Sequence, residues 1–375
     1  MNKHFSLYIH IPFCVSKCNY CDFASFVSTE SDRRAYFDTL RKEINETDYR
    51  KYKTVDSIYF GGGTPSSVDA KEIAQVMSAV SAAFELSDNC EISIESNPAT
   101  LSPEKCGIYR SSGINRISLG VQAVQPHLLQ LLGRAHTFDD AVRSVEYIRN
   151  AGFRNLNLDL MFALPKQTYS DWTQTLDQTI ALAPEHISAY SLIVEEGTPF
   201  YKSYADCDFI TDETDRKMYH YACDHLKTSG YAQYEISNFA KAGLECRHNL
   251  YCWEMEEYLG FGMNAHSFVG GKRFANSKDF KTYITDILAQ TDIRNGLHIL
   301  DNEELRSDFI ILGLRKTQGI DLIEFKQIFH EDFMLCYHNK TEKLISEGLL
   351  ALKTHSLSLT KKGLDYANRV MREFL

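Results

Sequence analysis

At 375 residues, of which 44% are hydrophobic, the chain is long enough for two domains or for one large domain with an appendage. Its formal net charge of −10 argues against a general binder of phosphate backbones, which needs clustered Lys and Arg. The sequence has no run of about 18 apolar residues and no apolar secretory core at its start. We therefore expect a cytoplasmic chain with reduced cysteines, no membrane span and no nucleic-acid partner.

The first predicted strand, 6–12, leads into three cysteines within eight residues: Cys14, Cys18 and Cys21. Thiolates are soft ligands that select zinc, cuprous copper or iron–sulfur clusters. Three cysteines leave one iron of a [4Fe-4S] cube without a protein ligand, which suits a reactive centre. Two other interpretations stay open: buried thiols on one helix face, or three zinc ligands with a distant fourth. A proline and an asparagine disfavour the helix, and the lack of a second CxxC pair disfavours zinc.

Alternating strand and helix patterns continue through the first half of the chain. Further strands are predicted over 57–60, 91–95, 115–119, 156–159 and 186–192. Helices are predicted over 32–46, 69–84 and 170–182. Another helix begins near Ser102 and Pro103, and a further helical region follows the fourth strand and runs through Asn150. Six strand–helix units in series predict a parallel sheet with right-handed crossovers. Because a closed barrel needs eight units, six predict an incomplete, laterally open barrel.

The second half of the chain is less regular. Polar and aromatic motifs come first, and charged amphipathic helices follow them. A helix, a strand, a turn and a strand are predicted over 343–362, as in a small winged-helix-like cap. Because the chain is acidic, we expect this cap to pack against the protein rather than to bind DNA. We therefore expect an α/β barrel over 1–200, an α+β extension over 201–300 and the cap over 301–375.

Polar and glycine residues follow the predicted strands directly, where barrels and open α/β folds place their sites. Gly61-Gly-Gly-Thr64 follows the second strand, and its glycines allow a ligand to approach the backbone closely. Glu95 ends the third strand, and Gln122, Arg134 and Asp159 lie beyond the fourth and fifth. Such side chains can bind hydroxyl, ammonium, carboxylate and adenine groups. A tight turn at the glycines and a solvated strand end at Glu95 are the alternatives.

His248, Asn249 and Trp253 form a second group of interest. Haem binding needs an axial imidazole and flat apolar walls, which this stretch supplies. A single histidine is nevertheless more often a surface or hydrogen-bonded residue than a ligand. Cys252, in the same stretch, is an alternative thiolate ligand.

The cysteines and their flanks resemble a known family. CxxxCxxC after a first strand resembles the signature of the radical S-adenosylmethionine (SAM) superfamily. His10-Ile-Pro-Phe-Cys14 and Tyr20-Cys21-Asp22-Phe23 resemble its HemN-like family, and the resemblance covers nearly the whole chain. Phe23 stands where the decarboxylating members have a fourth cysteine. The stretch from His248 to Trp253 resembles the HNxxYW pattern of the haem-chaperone members, with Cys252 in place of the tyrosine.

The resemblance implies three bound groups: a [4Fe-4S] cluster, SAM and haem. It assigns Cys14, Cys18 and Cys21 to the cluster and His248 to haem. It places these residues around SAM: Tyr8, Tyr20, Gly62, Gly63, Thr64, Glu95, Gln122, Arg134 and Asp159.

The function that the resemblance implies is that of a haem chaperone, which passes haem to respiratory haem proteins. The alternative is an oxygen-independent coproporphyrinogen III dehydrogenase, which forms protoporphyrinogen IX by oxidative decarboxylation. Phe23 and the short arm before Cys14 argue against the alternative. The sequence leaves three questions open: whether the chain is an enzyme, whether it forms a homodimer, and whether it associates peripherally with the membrane of the receiving proteins.

Overall fold

The computed structural model describes residues 4–50, 52–290 and 294–375. Strands and helices alternate along the first half of the chain. The elements are β1 (Phe5–Ile11), α1 (Glu30–Glu46), β2 (Val55–Gly62), α2 (Ala70–Ala83), β3 (Leu86–Ser96), α3 (Pro103–Ser111), β4 (Arg116–Gln122), α4 (Pro126–Leu131), α5 (Phe138–Asn150), β5 (Leu156–Phe162), α6 (Tyr169–Ala181) and β6 (His186–Ser191). The six strands pair in parallel and in sequence order, as the six predicted strand–helix units require.

Side-chain caps stabilise the first turns of the helices in this half. Thr29, Thr137 and Thr168 each accept a hydrogen bond from the backbone three residues on and complete a capping box with an aspartate. Ser102 caps α3 and Pro103 occupies its first turn, as predicted. These caps fix where each helix leaves the sheet, and so where the preceding loop can carry a site.

The core of the first half lies between the strands and the surrounding helices. β1 contributes side chains to both of its faces, and six of its seven residues are buried. α1 covers it with an apolar face that includes Tyr36, Phe37, Leu40 and Ile44, all fully buried. Burial of each such side chain is worth about 1.5–3 kcal/mol. Packing of this kind holds the strand ends in fixed positions.

The extension does not form a separate layer, because its strands join both edges of the same sheet. Its elements are α7 (Pro199–Tyr204), α8 (Asp212–Thr228), β7 (Ala232–Gln233), β8 (Asn238–Ala240), α9 (Arg247–Trp253), β9 (Glu257–Phe261), β10 (His266–Val269), β11 (Lys272–Asn276), α10 (Phe280–Ala289) and β12 (Arg294–Ile299). β9 pairs in parallel with β1, whereas β8 pairs antiparallel with β6. Within the described residues the sheet has twelve strands, in the order β12-β11-β10-β9-β1-β2-β3-β4-β5-β6-β8-β7, and it stays open.

The C-terminal part has its own small sheet and apolar core. Its elements are α11 (Asn302–Arg315), β13 (Ile320–Asp321), α12 (Leu322–Phe329), α13 (Phe333–Ser346), β14 (Leu350–Lys353), β15 (Ser356–Leu359), α14 (Lys361–Asp365) and α15 (Ala367–Arg372). β14 and β15 form the predicted hairpin, and β13 pairs with β15. Ile236 and Met255 of the extension pack against this second core. Among the described residues, every helix is too short or too polar to cross a lipid bilayer.

Candidate functional site

The loop that carries the three cysteines is held at both ends and in its middle. Backbone hydrogen bonds join Cys14 to Phe26 (3.0 Å) and Phe26 to Pro12 (2.9 Å), so the loop leaves and rejoins the protein at one place. In its middle, the backbone N–H of Asn19 donates to the carbonyl of Leu132 (3.0 Å). The loop is therefore fixed over the carboxyl ends of the parallel strands.

All three thiols line one cavity of about 330 Å³. The Cys14 sulfur lies 3.6 Å from the Thr64 hydroxyl, and a guanidinium N–H of Arg134 donates to the Cys18 sulfur over 3.4 Å. Burial raises the pKa of the Cys21 thiol, and its two neighbouring thiols add to that rise. Among the described residues no three His, Cys, Asp or Glu side chains converge on a single ion. The structure therefore shows the three thiols as neighbours that line one cavity.

Two carboxylates stand opposite the cysteine loop in the same cavity. Glu95 accepts hydrogen bonds from the Tyr59 hydroxyl (3.0 Å) and the Gly62 backbone (3.2 Å). Burial, with the nearby charge of Asp159, raises the pKa of Glu95 to about 7. Burial also raises the pKa of Asp159, although Ser118 donates to this carboxylate over 2.8 Å. Two carboxylates in one enclosed cavity favour the arrival of a cationic ligand.

The Arg134 guanidinium bridges the cysteine loop and the strand ends. Besides the Cys18 sulfur, it donates to the carbonyl of Gly120 (2.6 Å) and to the side chain of Asn97. Neighbouring thiol and phenol groups raise its pKa further despite the opposing effect of burial. The result is a fixed positive charge that can accept an anionic group of a ligand.

Backbone strain occurs where Gln122 enters the cavity. Its φ of 68° lies in the left-handed region, which a residue with a side chain rarely adopts. The side chain is 9% exposed and lines the cavity. Strain of this kind costs on the order of 1–3 kcal/mol and is concentrated at functional sites.

Gly63 has a structural task that the sequence did not indicate. A Cβ atom at this position would lie 2.8 Å from the carbonyl oxygen of Phe13 and 2.9 Å from the carbonyl carbon of Pro12. The neighbouring Thr64 backbone also donates to Phe13 (2.8 Å). A glycine is therefore required at position 63 to make room for the backbone segment that leads into Cys14, whether or not a ligand also approaches it.

The predicted site residues divide among three places. Ten of them line the cavity: Cys14, Cys18, Cys21, Tyr20, Gly63, Thr64, Glu95, Gln122, Arg134 and Asp159. Tyr8 and Gly62 instead line an adjacent cavity of about 390 Å³, and Glu95 and Phe23 line both. His248 lines neither of these cavities.

His248 is enclosed at the other end of the barrel. Its imidazole is 7% exposed, stacks on Tyr59 with 5.0 Å between ring centroids, and bonds to the Ser57 hydroxyl through Nδ1 (2.9 Å). Its backbone N–H donates to Glu91 (3.2 Å). Burial, with the charge of Arg116, lowers the pKa of His248 to about 3. The haem assignment of His248 stays a prediction.

The residues that follow His248 are also occupied by contacts within the protein. Burial raises the pKa of Cys252 to about 12, so this thiol keeps its proton. The guanidinium of Arg315, from α11, lies 4.3 Å from the ring centroid of Trp253. The stretch therefore joins the barrel to the C-terminal part.

Several cavity residues were absent from the sequence-based prediction: Tyr59, Asn97, Ser118, Gly120, Met161 and Tyr190. Alternation along a strand was the available signal, since side chains two residues apart share a face. Asn97 lies two positions after Glu95, Gly120 two before Gln122, and Met161 two after Asp159.

Comparison with known families matches two parts of the chain. Residues 8–179 match the radical SAM superfamily, and residues 300–366 match the HemN C-terminal domain. The first match contains the cysteine loop and the carboxylates of the cavity. The second falls on the small C-terminal sheet and its helices.

Full-length relatives give the same result. The heme chaperone HemW of Bacillus subtilis (strain 168) is 36% identical, over 99% of both chains. The heme chaperone HemW of Haemophilus influenzae is 38% identical, over 99% of this chain and 97% of that protein. The solved structure of coproporphyrinogen III oxidase (HemN) from Escherichia coli superposes with a TM-score of 0.85 at 23% identity, covering 100% of this chain and 90% of that one. This likeness confirms the predicted α/β fold class.

Proposed function

The chain belongs to the HemW family within the radical SAM superfamily, and we propose that it is a haem chaperone that also binds a [4Fe-4S] cluster and SAM. The observation that carries the proposal is the meeting of three thiols and a set of charged and amide side chains in one cavity. Thiolates suit iron–sulfur ligation, and the mixed polar set suits a zwitterionic nucleoside ligand.

For the cluster, the residues present fit the group. Cys14, Cys18 and Cys21 would each ligate one iron, and the fourth iron would face the cavity without a protein ligand. The positive charge of Arg134 beside Cys18 offsets part of the negative charge of a thiolate-bound cluster. A bound cluster supplies one-electron chemistry at this position.

For SAM, the charges of the cavity match the charges of the ligand. Glu95 and Asp159 suit its sulfonium and ammonium groups, and Arg134 suits its carboxylate. Tyr20, Gly63, Thr64 and Gln122 would contact the remaining polar groups. Tyr8 and Gly62 line the adjacent cavity, so we propose that they act through Glu95, whose carboxylate the Gly62 backbone holds.

Haem is the cargo in this proposal, and the receivers are respiratory haem proteins. Delivery takes place at the membrane surface, where such proteins lie, with the chain bound only peripherally. Phe23 stands in place of the fourth cysteine of the decarboxylating members, so we expect no conversion of coproporphyrinogen III. Size-exclusion chromatography of the haem-loaded chain tests whether two copies associate, because a dimer elutes earlier than a monomer.

The test combines transfer and turnover. The anaerobically reconstituted chain is loaded with haem and mixed with a respiratory b-type haem protein stripped of its haem, and the Soret band is followed. Haem-loaded serum albumin serves as the matched donor without chaperone function. We expect faster transfer from the chain than from albumin.

A parallel reaction supplies coproporphyrinogen III, SAM and a low-potential reductant without oxygen. Robust formation of protoporphyrinogen IX would replace the chaperone function by the dehydrogenase. A chain that neither binds nor transfers haem would also contradict the proposal.

A further inference from the structure

A group of polar side chains lies inside the barrel, next to the cysteine-lined cavity. Asn157 and Asp159 are two positions apart on β5, so their side chains lie on the same face of the sheet. The strand register places Asn157 between Ser118 of β4 and His186 of β6. These three residues are at most 3% exposed, whereas Asp159 lines the cavity. Buried polar groups therefore stand directly behind a carboxylate of the proposed SAM site.

The side-chain amide of Asn157 is engaged on both of its sides. Its nitrogen donates to the Asp159 carboxylate (2.8 Å) and to the Ser118 hydroxyl (2.7 Å). Its oxygen accepts a hydrogen bond from the Ser188 hydroxyl (3.2 Å) and lies 2.6 Å from Nδ1 of His186. If the amide were rotated by half a turn, its oxygen would face the carboxylate of Asp159 and the donor would be lost. The orientation of this amide therefore decides whether Asp159 is hydrogen-bonded from behind.

The contacts of His186 fix its tautomer. Because the Asn157 oxygen can only accept, the imidazole hydrogen lies on Nδ1. Nε2 then accepts from the Tyr234 hydroxyl (2.9 Å), whose oxygen accepts in turn from the backbone N–H of Cys246 (3.3 Å). Burial lowers the pKa of His186 well below its usual range, so the imidazole stays neutral and keeps one donor and one acceptor. Every donor of this chain, from Cys246 onward, points toward Asp159.

A chain of hydrogen bonds with one direction acts on the group at its end. Each bond polarises the next one, so the last donor is stronger than an isolated amide. Burial raises the pKa of Asp159, and the hydrogen bonds from Ser118 and Asn157 oppose that rise because they favour the ionised carboxylate. They also hold the carboxylate in one orientation in the cavity, which is what a binding site requires of its charged groups.

We propose that His186 and Asn157 are positioning residues for SAM binding: His186 fixes the orientation of the Asn157 amide, and the amide holds the Asp159 carboxylate in place for the ligand. The inference rests on the proposed function, because it needs SAM in the cavity. Asp159 lines that cavity, whereas His186 and Asn157 do not. The two residues therefore act on the ligand through Asp159 and not by contact.

The experiment titrates SAM into the full-length, cluster-loaded chain by calorimetry. His186→Gln and His186→Asn are a matched pair, because a Gln amide reaches the position of Nε2 and an Asn amide that of Nδ1. His186→Gln loses the contact with Asn157 and is expected to weaken SAM binding about three- to tenfold, the worth of one hydrogen bond. His186→Asn keeps a donor beside Asn157 and is expected to bring the affinity back close to that of the wild type.

A double-substitution cycle separates positioning from a general loss of stability. Asn157→Ser removes the amide and is expected to weaken SAM binding at least as much as His186→Gln does. Adding His186→Gln to Asn157→Ser is expected to cost little further affinity, because His186 acts through Asn157. Ile187→Ala is the control: its fully buried side chain lies on the opposite face of β6, so the melting temperature should fall while SAM affinity stays unchanged.

The outcomes separate the inference from the proposed function. Wild-type SAM affinity in His186→Gln or in Asn157→Ser would overturn the inference while the SAM site stands. Equal losses in His186→Asn and His186→Gln, additive losses in the cycle, or a loss in Ile187→Ala would overturn it too, since each would mean an effect through stability alone. If iron content or circular dichroism shows that His186→Gln is misfolded, the titration of Asn157→Ser decides. Failure of the wild type to bind SAM would contradict the SAM site of the proposed function instead.

Discussion

Two glutamates four residues apart on β3 show how the two ends of the barrel differ. Glu91, near the amino end, is 3% exposed and accepts hydrogen bonds from the backbones of Arg247 (3.3 Å) and His248 (3.2 Å) and from the Cys246 thiol (3.5 Å). Glu95, near the carboxyl end, faces a cavity and has a pKa raised to about 7. Other parts of the chain supply the hydrogen-bond donors of Glu91, whereas Glu95 can accept further hydrogen bonds from a ligand in the cavity.

Structural and functional polar residues of this barrel differ in whether the chain itself supplies their partners. At the amino end, α9 closes the barrel and supplies the hydrogen-bond donors of Glu91. At the carboxyl end, loops surround a cavity, and burial raises the pKa of two carboxylates, Glu95 and Asp159. Substitutions at one end of β3 should therefore leave the other end of that strand unchanged.

The largest effect is expected from the cysteine loop. Reconstituted without oxygen, the chain should hold about four irons, the content of one cube. Alanine at Cys14, Cys18 or Cys21 should remove most of this iron, as measured by colorimetric iron analysis. Cys90→Ala and Cys106→Ala are the matched controls, because these thiols are buried away from the cavity and should leave iron content unchanged. Stable iron binding after all three loop cysteines are replaced would contradict the assignment.

The next effect compares the two glutamates directly. Glu95→Gln should weaken SAM binding at pH 8 by about 10- to 100-fold, since a hydrogen bond or contact with a charged group is worth about 1.5–3 kcal/mol. Glu91→Gln should lower the melting temperature but leave SAM affinity near that of the wild type. Titration calorimetry and thermal unfolding measure the two quantities. Equal SAM affinity in the wild type and Glu95→Gln would remove this carboxylate from the site.

A smaller loss of SAM affinity is expected from Gly120→Ala. The added Cβ would lie 2.9 Å from the Gln122 amide nitrogen and 3.1 Å from an Arg134 nitrogen, so both side chains must shift within the cavity. Several-fold weaker SAM binding with unchanged iron content is expected. Gly107→Ala, on α3 with open space around its Cα, is the control and should bind SAM normally. Gly63→Val is a poorer test, because it collides with the backbone at Phe13.

A substitution at the amino end of the barrel should lower the stability of the protein. His248→Ala removes the partner of Ser57 and the stacking of Tyr59, and we expect a loss of about 1–3 kcal/mol in the free energy of unfolding. Urea unfolding of the chain measures this loss. A destabilisation confined to the haem-loaded form would instead indicate that His248 acts through haem.

The smallest effect is a dependence on pH. The raised pKa of Glu95, about 7, means that SAM affinity should rise as the pH increases from 6 to 8, because the ionised carboxylate attracts the cationic ligand. Without SAM the sign is opposite: between about pH 4.3, the unfolded value, and pH 7, the folded state binds more protons, so this group's contribution to stability falls as the pH rises. Both slopes should flatten in Glu95→Gln.

The six parallel strands and the start of α3 at Ser102 and Pro103 could be predicted because they depend on local patterns. Apolar runs, a Ser cap and glycine turns lie within a few residues of the elements they define. The position of the cavity followed from one topological rule, that parallel strands end at the same edge. The prediction for Gly63 was incomplete, because the backbone atoms that a Cβ would collide with belong to Pro12 and Phe13, about fifty positions away in sequence.

The placement of Tyr8 and His248 depends on contacts that sequence does not display. Ser57 and His248 are 191 positions apart, and their hydrogen bond encloses the imidazole that the motif alone presented as a ligand. Tyr8 faces the adjacent cavity because β9 joins the far edge of β1, a pairing between distant parts of the chain. Patterns of a few residues carry no signal for either contact.

The pairing of β1 with β9 has a consequence for how the protein is made. β1 is among the first segments to leave the ribosome, yet one of its two edges waits for residues about 250 positions later, as the hydrogen bond between His4 and Glu256 illustrates. At 5–20 residues per second, that wait is roughly 10–50 s. A bare strand edge recruits other chains, so the nascent protein needs protection during this time. The complete β1 framework around the cysteine loop therefore exists only after the first 261 residues have been synthesised.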